Sequence, residues 1–442
     1  MSPPVRTVAS DTTLPPRVDV VVIGGGISGA AAAWELARRG QSVALVEKGR
    51  IGAEQSSRNW GWCRQQNRDE RELPLAMLAL RIWDDLAAAT GEDAGFRRSG
   101  LIYTSDSEAE IAGWEAWGRM ARGHGVDTRM LTGAGAAALL PEHPRRWKGG
   151  VYSPTDGRAE PALATPILAE AARRAGARLL QDCAAREIEF TGGAVSAVLT
   201  ERGRIACDAA LVAGGSWAGM LLRHHGIRFL QASLQSTALA TTPGPEVIAG
   251  GHAMPDLSLR RRLDGGYTVG LSGFGKLHLA PLGLAQLRPF WPTFRKRRAK
   301  LSFTLSRQAV TGPDALCRWD AGRISPFERV RVLDPSPDPK LLRRGLAGLA
   351  AAYPGLGHLG IAHAWGGMVD CTPDGIPVIS AITGRPGLYV CAGHTGHGFG
   401  TGPAAGRLVA ELIRGDAPSV DPAPFRHARM VDGSDLGEMG MM

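Results

Sequence analysis

The segment from Val18 to Glu47 constrains the fold most, because it has the pattern of a complete β-loop-α-β unit. Residues 18–23 form a nearly continuous β-branched run, which is typical of a buried parallel strand. The turn Gly24 to Gly29 follows, then an Ala-rich helix predicted over 30–39 and a second strand predicted over 42–47. This unit predicts a parallel α/β sheet and, at its glycine turn, a site for a dinucleotide.

The glycine turn has the spacing that binding of a diphosphate requires. Gly24 allows the tight turn off the strand, Gly26 lets the backbone approach the pyrophosphate, and Gly29 lets helix and strand pack closely. Ile27 and Ser28 open the helix, whose N-terminal N–H groups and partial positive charge face the anion. All five residues are therefore predicted cofactor ligands.

Glu47, at the end of the second predicted strand, indicates which dinucleotide is excluded. Its carboxylate is placed to accept hydrogen bonds from ribose hydroxyls, and it would repel the 2′-phosphate of NADP. Lys48 follows it and is included in the predicted site. A second G-x-G-x-x-G, from Gly355 to Gly360, leads into a strand and not a helix, so a loop is predicted there.

Two distant segments distinguish a flavin from a nicotinamide. After Glu47 the chain continues with a Ser/Asn/Gly-rich loop over 52–62 in place of further βα repeats. Near the C-terminus a second glycine-rich segment leads into a helix predicted over 404–414, with Thr401 as candidate N-cap and Pro403 in the first turn. Such a helix start would stabilise the negative charge of a reduced flavin. The two segments contribute the predicted FAD ligands Ser56, Ser57, Asn59, Gly61, Gly393, Gly396, His397, Gly398, Phe399 and Gly400.

These segments resemble the D-amino-acid oxidase superfamily of FAD-dependent oxidoreductases, over nearly the whole chain from Asp19 to Gly415. The landmarks are the βαβ unit, the loop Ser56 to Asn59, the motif Ala213 to Trp217, and the region from Trp365 to Gly400. The resemblance adds Ala184, Gly214 and Trp217 as cofactor ligands. It implies an α/β fold: an FAD-binding, Rossmann-like domain of the glutathione-reductase type, interleaved with an α+β substrate domain built on a mixed sheet.

The domain limits expected from this resemblance and from the composition are discontinuous. The predicted segments are a disordered tail over 1–16, the FAD-binding domain over 17–90, 151–222 and 353–420, the substrate domain over 91–150 and 223–352, and a C-terminal tail over 421–442.

The segment from Trp365 to Pro377 looks most like the β-subunit of heterotetrameric sarcosine oxidase. It departs from D-amino-acid dehydrogenases, which usually carry an Arg where Val369 stands. It also departs from monomeric sarcosine oxidases, whose flavin-linking Cys would fall at Gly367, whereas Cys371 is adjacent to Thr372. Noncovalent FAD is therefore expected.

The resemblance implies oxidation of the C–N bond of a small amino acid or secondary amine, of the N-methyl or D-amino acid type. Hydride passes to flavin N5, and the imine then hydrolyses in water. Two alternatives stay open: a 2-hydroxy-acid oxidoreductase on the same scaffold, and a non-catalytic FAD-binding subunit of a hetero-oligomer. The electron acceptor, O2 or a quinone, and the oligomeric state are left undetermined.

Four residues are candidates for the chemistry. Arg64 either binds a substrate carboxylate through its bidentate fork or pairs with a local acid such as Asp69 or Glu70. His394 and His397 are expected to line the flavin site; a metal would need more ligands than this pair, so no metal is predicted. Lys276 either lies near flavin N5, as in related oxidases, or is a surface lysine, which its poorly matching context favours.

Charge and cysteine content indicate the setting of the protein. The net charge of +9 is spread through helical patterns, which favours a solvated basic surface over nucleic-acid binding. Six scattered cysteines without a C-x-x-C pair favour free thiols in a reducing cytosol, so a cytoplasmic location is predicted.

The run from Phe290 to Arg298 mixes aromatic with basic residues. It either contacts an anionic bilayer, as a peripheral protein would, or is a solvated loop or helix on the substrate domain. The second interpretation is favoured, because most basic runs are solvated.

Overall fold

The computed structural model describes residues 3–437, which form an α/β fold with mixed sheets. The strands are β1 Val20–Ile23, β2 Val43–Val46, β3 Trp62–Cys63, β4 Leu101–Ser105, β5 Arg129–Thr132, β6 Gly149–Ser153, β7 Gly157–Arg158, β8 Arg178–Leu180, β9 Ala185–Thr191, β10 Ala194–Thr200, β11 Gly203–Ala206, β12 Ala209–Val212, β13 Ala232–Thr241, β14 Gly251–Ala253, β15 Ser258–Arg261, β16 Tyr267–Gly270, β17 Gly275–His278, β18 Leu301–Thr304, β19 Ile361–Cys371, β20 Val378–Ala381 and β21 Leu388–Ala392.

The α-helices are α1 Ile27–Ala37, α2 Gln55–Arg58, α3 Leu73–Thr90, α4 Glu108–Gly123, α5 Gly133–Leu139, α6 Pro161–Arg174, α7 Ala218–His224, α8 Pro281–Ala285, α9 Leu287–Arg297, α10 Gln308–Thr311, α11 Pro326–Arg329, α12 Pro339–Ala352 and α13 Gly398–Arg414. No helix within residues 3–437 is long and apolar enough to cross a membrane.

The first sheet has six strands in the order β20-β21-β12-β1-β2-β8, parallel except for β20. Its strands are apolar on both faces because α1, α6 and α13 pack against one face and the hairpins β9–β11 against the other. The helix α1 sits between α6 and α13 and is buried along its whole length, which explains why it is rich in alanine. The predicted parallel βαβ unit is confirmed.

The second large sheet has ten strands, nine of them in the order β18-β17-β13-β16-β15-β14-β4-β6-β5, with β19 paired antiparallel to β13. Both parallel and antiparallel pairs occur in it, as predicted for the mixed sheet. The strands β6 and β19 belong to this sheet although residues 151–222 and 353–420 were assigned to the FAD-binding domain. The domain limits themselves remain a prediction.

The chain ends differ from the expected tails. Residues 3–16 run as an extended segment: the N–H of Asp11 donates to the Leu179 carbonyl, and Arg6 N–H to that of Ala162. At the other end, Arg429 forms a buried ion pair with Asp374 at 2.9 Å. Both segments are therefore ordered against the body of the protein; residues 1–2 and 438–442 of the predicted tails lie outside the described residues.

Candidate functional site

A long cleft opens at the carboxyl ends of β1, β2 and β12, where parallel sheets of this kind bind their ligands. The predicted site residues that line it are Gly24, Gly26, Ile27, Ser28, Glu47, Lys48, Ser56, Asn59, Gly214, Trp217, His394, Gly396, Gly398 and Phe399. The segments that the sequence singled out at residues 24–29, 56–59, 214–217 and 394–399 are thus brought together along one wall of the molecule.

The glycine turn has the geometry that its spacing predicts. Gly24 has φ +114°, and a Cβ atom built on it would lie 2.5 Å from the carbonyl oxygen of Ala213. A Cβ on Gly29 would lie 2.0 Å from the Gly24 carbonyl oxygen, so Gly29 lies behind the cleft and joins helix to strand. A Cβ on Gly26 would meet only Ser56 Oγ, at 3.3 Å, and would otherwise point toward open space where a diphosphate could approach.

Glu47 is buried at the end of β2 and holds the turn. Its two carboxylate oxygens accept hydrogen bonds from the N–H groups of Gly25, at 2.7 Å, and Gly49, at 2.8 Å. Burial raises the pKa of Glu47, against the opposing effects of Lys48 and the two N–H donors. The carboxylate lies in the cleft wall, as its predicted role toward the ribose requires.

The short helix α2 brings the Ser/Asn loop over the start of α1. The Ser56 hydroxyl accepts a hydrogen bond from the Ile27 N–H at 2.9 Å. Asn59 closes the turn after α2, since its amide donates to the Ser56 carbonyl at 2.8 Å and accepts from the Gly61 N–H at 2.7 Å. Ser57 and Gly61 therefore support this loop and are not part of the cleft lining.

Lys48 and Trp217 are joined through a residue that sequence reasoning missed, Glu54. The Lys48 ammonium lies 2.6 Å from one Glu54 oxygen and 4.5 Å from the centre of the Trp217 ring. The Trp217 indole N–H donates to the other Glu54 oxygen at 3.1 Å. Ala185 lines the cleft near this end, whereas the predicted Ala184 uses its N–H to donate to Glu201 at 2.6 Å.

At the other end of the cleft, Asp370 fixes the C-terminal glycine segment. Its carboxylate accepts hydrogen bonds from the N–H groups of Gly393, at 2.8 Å, and His394, at 3.3 Å. The His394 Nε2 lies 3.1 Å from Ser28 Oγ, and its Nδ1 is buried with no hydrogen-bond partner among the described residues. Asp370 was not predicted as a site residue, although its position before Thr-Pro-Asp was a signal.

The helix α13 begins at Gly398, not at Ala404, so the predicted boundary is wrong. Thr401 is not the N-cap: it lies inside the helix, where its hydroxyl donates to the His397 carbonyl at 3.1 Å. The first turn is rich in glycine because larger residues do not fit; a Cβ on Gly400 would lie 2.9 Å from the Trp62 carbonyl oxygen. The N-terminus of α13 therefore reaches the cleft, with Gly398 and Phe399 in its lining.

Arg64 lies beside this helix start and forms no ion pair within residues 3–437. Its guanidinium donates to the Gln66 carbonyl. The two acids proposed as alternative partners are engaged elsewhere, Asp69 with Arg71 at 2.8 Å and Glu70 with His124 at 3.3 Å. Neither of these two acids pairs with Arg64, and its role stays a prediction.

His397 faces away from the cleft lining, into a buried polar cluster with Arg68 and Glu72. The His397 Nδ1 lies 3.0 Å from a Glu72 oxygen, and Arg68 lies 3.7 Å from the same oxygen. Burial favours the neutral acid of Glu72, but His397 and Arg68 outweigh it and lower the pKa of Glu72 to about 2. Burial, assisted by Arg68, lowers the pKa of His397 to about 4. Glu72 is the second site residue that sequence reasoning missed.

We expect the substitution Glu72→Gln to destabilise the fold by about 3 kcal/mol at neutral pH, because it leaves Arg68 buried without its counter-charge. The pKa of Glu72 is lowered on folding from its ordinary value of 4.5 to about 2, so its stabilisation is complete above pH 4.5 and is lost as the pH falls toward 2. Urea unfolding should therefore show a gap between wild type and E72Q that narrows over this range. The control E170Q, paired with the half-exposed Arg173, should cost about 1 kcal/mol or less. A gap independent of pH would contradict the role of the Glu72 charge.

Lys276 is not brought to the cleft. It lies on β17, where its ammonium forms an ion pair with Asp338, the N-cap of α12, at 2.9 Å. Its partner and its place on the second sheet agree with the alternative interpretation as a surface lysine. Within residues 3–437, no group of three or more His, Cys, Asp or Glu side chains could hold a metal ion.

The residues present fit a flavin dinucleotide. One end of the cleft has a glycine cradle for a diphosphate and a buried carboxylate beside it, and the other end has a helix N-terminus suited to a reduced isoalloxazine. FAD bound there would supply the two-electron chemistry. The chain's own residues would hold it through Gly26, Glu47 and the first turn of α13.

Known proteins agree with this assignment. The family model described as "DAO: FAD dependent oxidoreductase" matches residues 19–412. Glycine oxidase from Geobacillus kaustophilus is 27% identical, over 94% of this chain and 98% of its own. Sarcosine oxidase subunit beta from Rhizobium meliloti is 25% identical, over 96% of this chain and 91% of its own.

The fold is also similar to that of a solved enzyme. The L-amino acid deaminase from Proteus myxofaciens superposes with a TM-score of 0.92 at 26% identity, covering 97% of each chain. These comparisons confirm three predictions: the α/β fold, FAD as the cofactor, and that the protein is an enzyme. The chain is a member of the DAO family of FAD-dependent oxidoreductases, whose relatives here are oxidases and deaminases of amino acids and amines.

Proposed function

We propose that the protein oxidises the C–N bond of a small amino acid or secondary amine that carries a free carboxylate, with hydrolysis of the imine product in water. The observation that supports this proposal is Arg64, whose guanidinium forms no ion pair within residues 3–437 and whose backbone lies beside Gly400 in the first turn of α13. An Arg fork is the side chain best suited to a carboxylate, and a carboxylate held there would leave the adjacent amine-bearing carbon near the flavin end of the cleft.

The relatives differ in the substrates that their names state, so the proposal is not limited to one of them. Glycine oxidase, sarcosine oxidase and L-amino acid deaminase share a carboxylate beside an amine in those substrates. N-methyl and D-amino acids remain in the proposed class, and L-amino acids are added to the set to be tested. We further propose that FAD is held without a covalent bond, since Cys371 is half-buried and desolvation raises its pKa to about 12, which keeps the thiol protonated.

The test is anaerobic bleaching of the flavin in the purified holoprotein. Glycine, N-methyl amino acids, D-amino acids and L-amino acids are compared with the matching 2-hydroxy acids and decarboxylated amines. We expect at least one amino acid to bleach the flavin, its decarboxylated amine to be far slower, and acid precipitation to release all FAD into the supernatant. Bleaching by hydroxy acids alone, or by nothing in the panel, would refute the proposed substrate class. Reoxidation by air compared with a soluble quinone then identifies the acceptor.

A further inference from the structure

The segment 279–312 differs in surface chemistry from the rest of the protein. It contains seven Lys or Arg residues and no Asp or Glu. Of the thirteen large hydrophobic side chains that are exposed within residues 3–437, seven lie in this segment: Leu279, Leu284, Leu287, Trp291, Phe303, Leu305 and Val310. Scattered exposed hydrophobic residues are normal, but a cluster rimmed by one sign of charge indicates an interaction surface.

Several hydrophobic side chains of α8, α9 and β18 form a continuous apolar face. Leu284, Leu287 and Trp291 recur at helical spacing along α8 and α9, and 73% of Leu284 is exposed. The Trp291 ring stacks on Phe294 with centroids 5.6 Å apart, and Phe294 contacts Phe303 of β18 at 6.1 Å. The apolar face therefore continues from the helix onto the edge strand of the ten-stranded sheet.

The basic residues flank this apolar face. Arg288 and Arg295 are exposed. Each directly follows an apolar residue of α9, Leu287 and Phe294, and therefore lies beside the apolar face of the helix. No residue of α9 is buried, so the helix leaves its apolar and basic side chains at least partly exposed to solvent. A short helix with an apolar aromatic face beside arginines is the arrangement that lies in the interface of an anionic membrane.

The charges and apolar side chains of the segment indicate which partner binds it. Lys300 of the segment pairs with Asp256 at 3.2 Å, but a second copy of this chain would bring the exposed Arg288 and Arg295 against the same arginines, since the segment contains no acid. Nucleic acid would satisfy the arginines but leave Leu284 and Leu305 in water. Anionic lipid meets both requirements, because its headgroups take the arginines and its acyl region takes the apolar side chains.

We propose that the segment 279–312 is a docking surface for an anionic lipid bilayer, which the apolar face of α8 and α9 enters while the flanking arginines meet the headgroups. The segment is held to the catalytic body by β18, paired with β17, and by the Thr293 hydroxyl, which donates to the Pro373 carbonyl at 3.1 Å. Pro373 lies three positions after Asp370, which lines the cleft. The bilayer would therefore lie on the side of the protein where β19 ends. The proposal does not depend on the substrate.

The experiment is sedimentation of the holoprotein with vesicles of phosphatidylcholine, with and without phosphatidylserine. We expect binding to the anionic vesicles only, weakened but not abolished by high salt. The double substitution R288E/R295E should weaken binding by at least about tenfold, and W291S/L305S by a similar factor. The control R81E/R343E makes the same charge change on exposed residues of α3 and α12 and should bind like wild type.

Each variant is first checked for FAD content and for flavin bleaching, which should equal those of wild type. Equal binding to neutral and anionic vesicles, no binding to either, or equal loss in R81E/R343E would overturn the proposal. So would a wild-type dimer that W291S/L305S converts to a monomer, since the occupant would then be a second copy.

Discussion

Replacing Arg64 by alanine is expected to lower kcat/KM for the amino-acid substrate by about 1,000-fold, mainly through KM. Removing one partner of a desolvated charge pair costs about 2–5 kcal/mol, and 1,000-fold corresponds to about 4 kcal/mol. Arg64 is half-buried, forms no ion pair among the described residues, and its backbone lies beside the first turn of α13. A substrate carboxylate would be its counter-charge.

Two further variants show which property of Arg64 matters. R64K tests the geometry of its donors at constant charge, and R97A controls for the loss of an arginine elsewhere. R64K keeps a charge but loses the two-pronged donor, so we expect an intermediate loss of about 10- to 100-fold. R97A removes an exposed arginine paired with Asp93 and should leave activity unchanged. The decisive comparison is a decarboxylated amine, whose slow oxidation should be the same in wild type and R64A. An equal loss for amine and amino acid, with FAD retained, would show that Arg64 does not bind the carboxylate.

Much of the fold could be predicted from local sequence, because the residues that specify the βαβ unit are close together in the chain. The buried strand β1, the glycine turn and α1 all follow from residues within thirty positions of each other. The helix start at Gly398 was misplaced for the opposite reason. Glycine disfavours helix locally, but Gly402 and Gly406 are needed where α13 crosses α1, since Cβ atoms there would lie 2.6 Å from Ile27 and 2.5 Å from Ala31.

The cofactor end of the site was predictable, whereas the substrate end was not. The ligands of the cleft belong to recurring motifs. Whether Arg64 has an acidic partner, in contrast, depends on how the acids around it are paired with other side chains. Such pairs join residues as distant in sequence as Glu72 and His397. Nothing in the sequence around Glu72, an acid before Leu73-Pro74, indicated more than the start of a helix. Tertiary ion pairs of this kind become visible only when the elements are in place.

Gly29→Ala is expected to prevent the protein from holding FAD and to lower its stability severely. The added methyl group would lie 2.0 Å from the Gly24 carbonyl oxygen and 3.3 Å from Ala213 Cβ. Gly24 and Ala213 directly follow β1 and β12 at the cleft, and a backbone oxygen cannot turn aside as a side chain can. The cost should therefore exceed the roughly 1–3 kcal/mol of ordinary overpacking. Bound FAD per protein and the midpoint of thermal unfolding measure it.

Gly26→Ala tests whether this loss comes from the fold or from the cofactor. Gly26 has φ −73°, which alanine adopts freely, and the only neighbour of its added methyl would be the Ser56 hydroxyl at 3.3 Å. The apoprotein should therefore keep its stability, while the space needed for the diphosphate is filled and the Kd for FAD rises about tenfold or more. Gly123→Ala, at the end of α4 with open space around it, should change neither property. If G26A bound FAD as tightly as wild type, the diphosphate would not lie against Gly26, and the close approach that the glycine spacing predicts would be wrong.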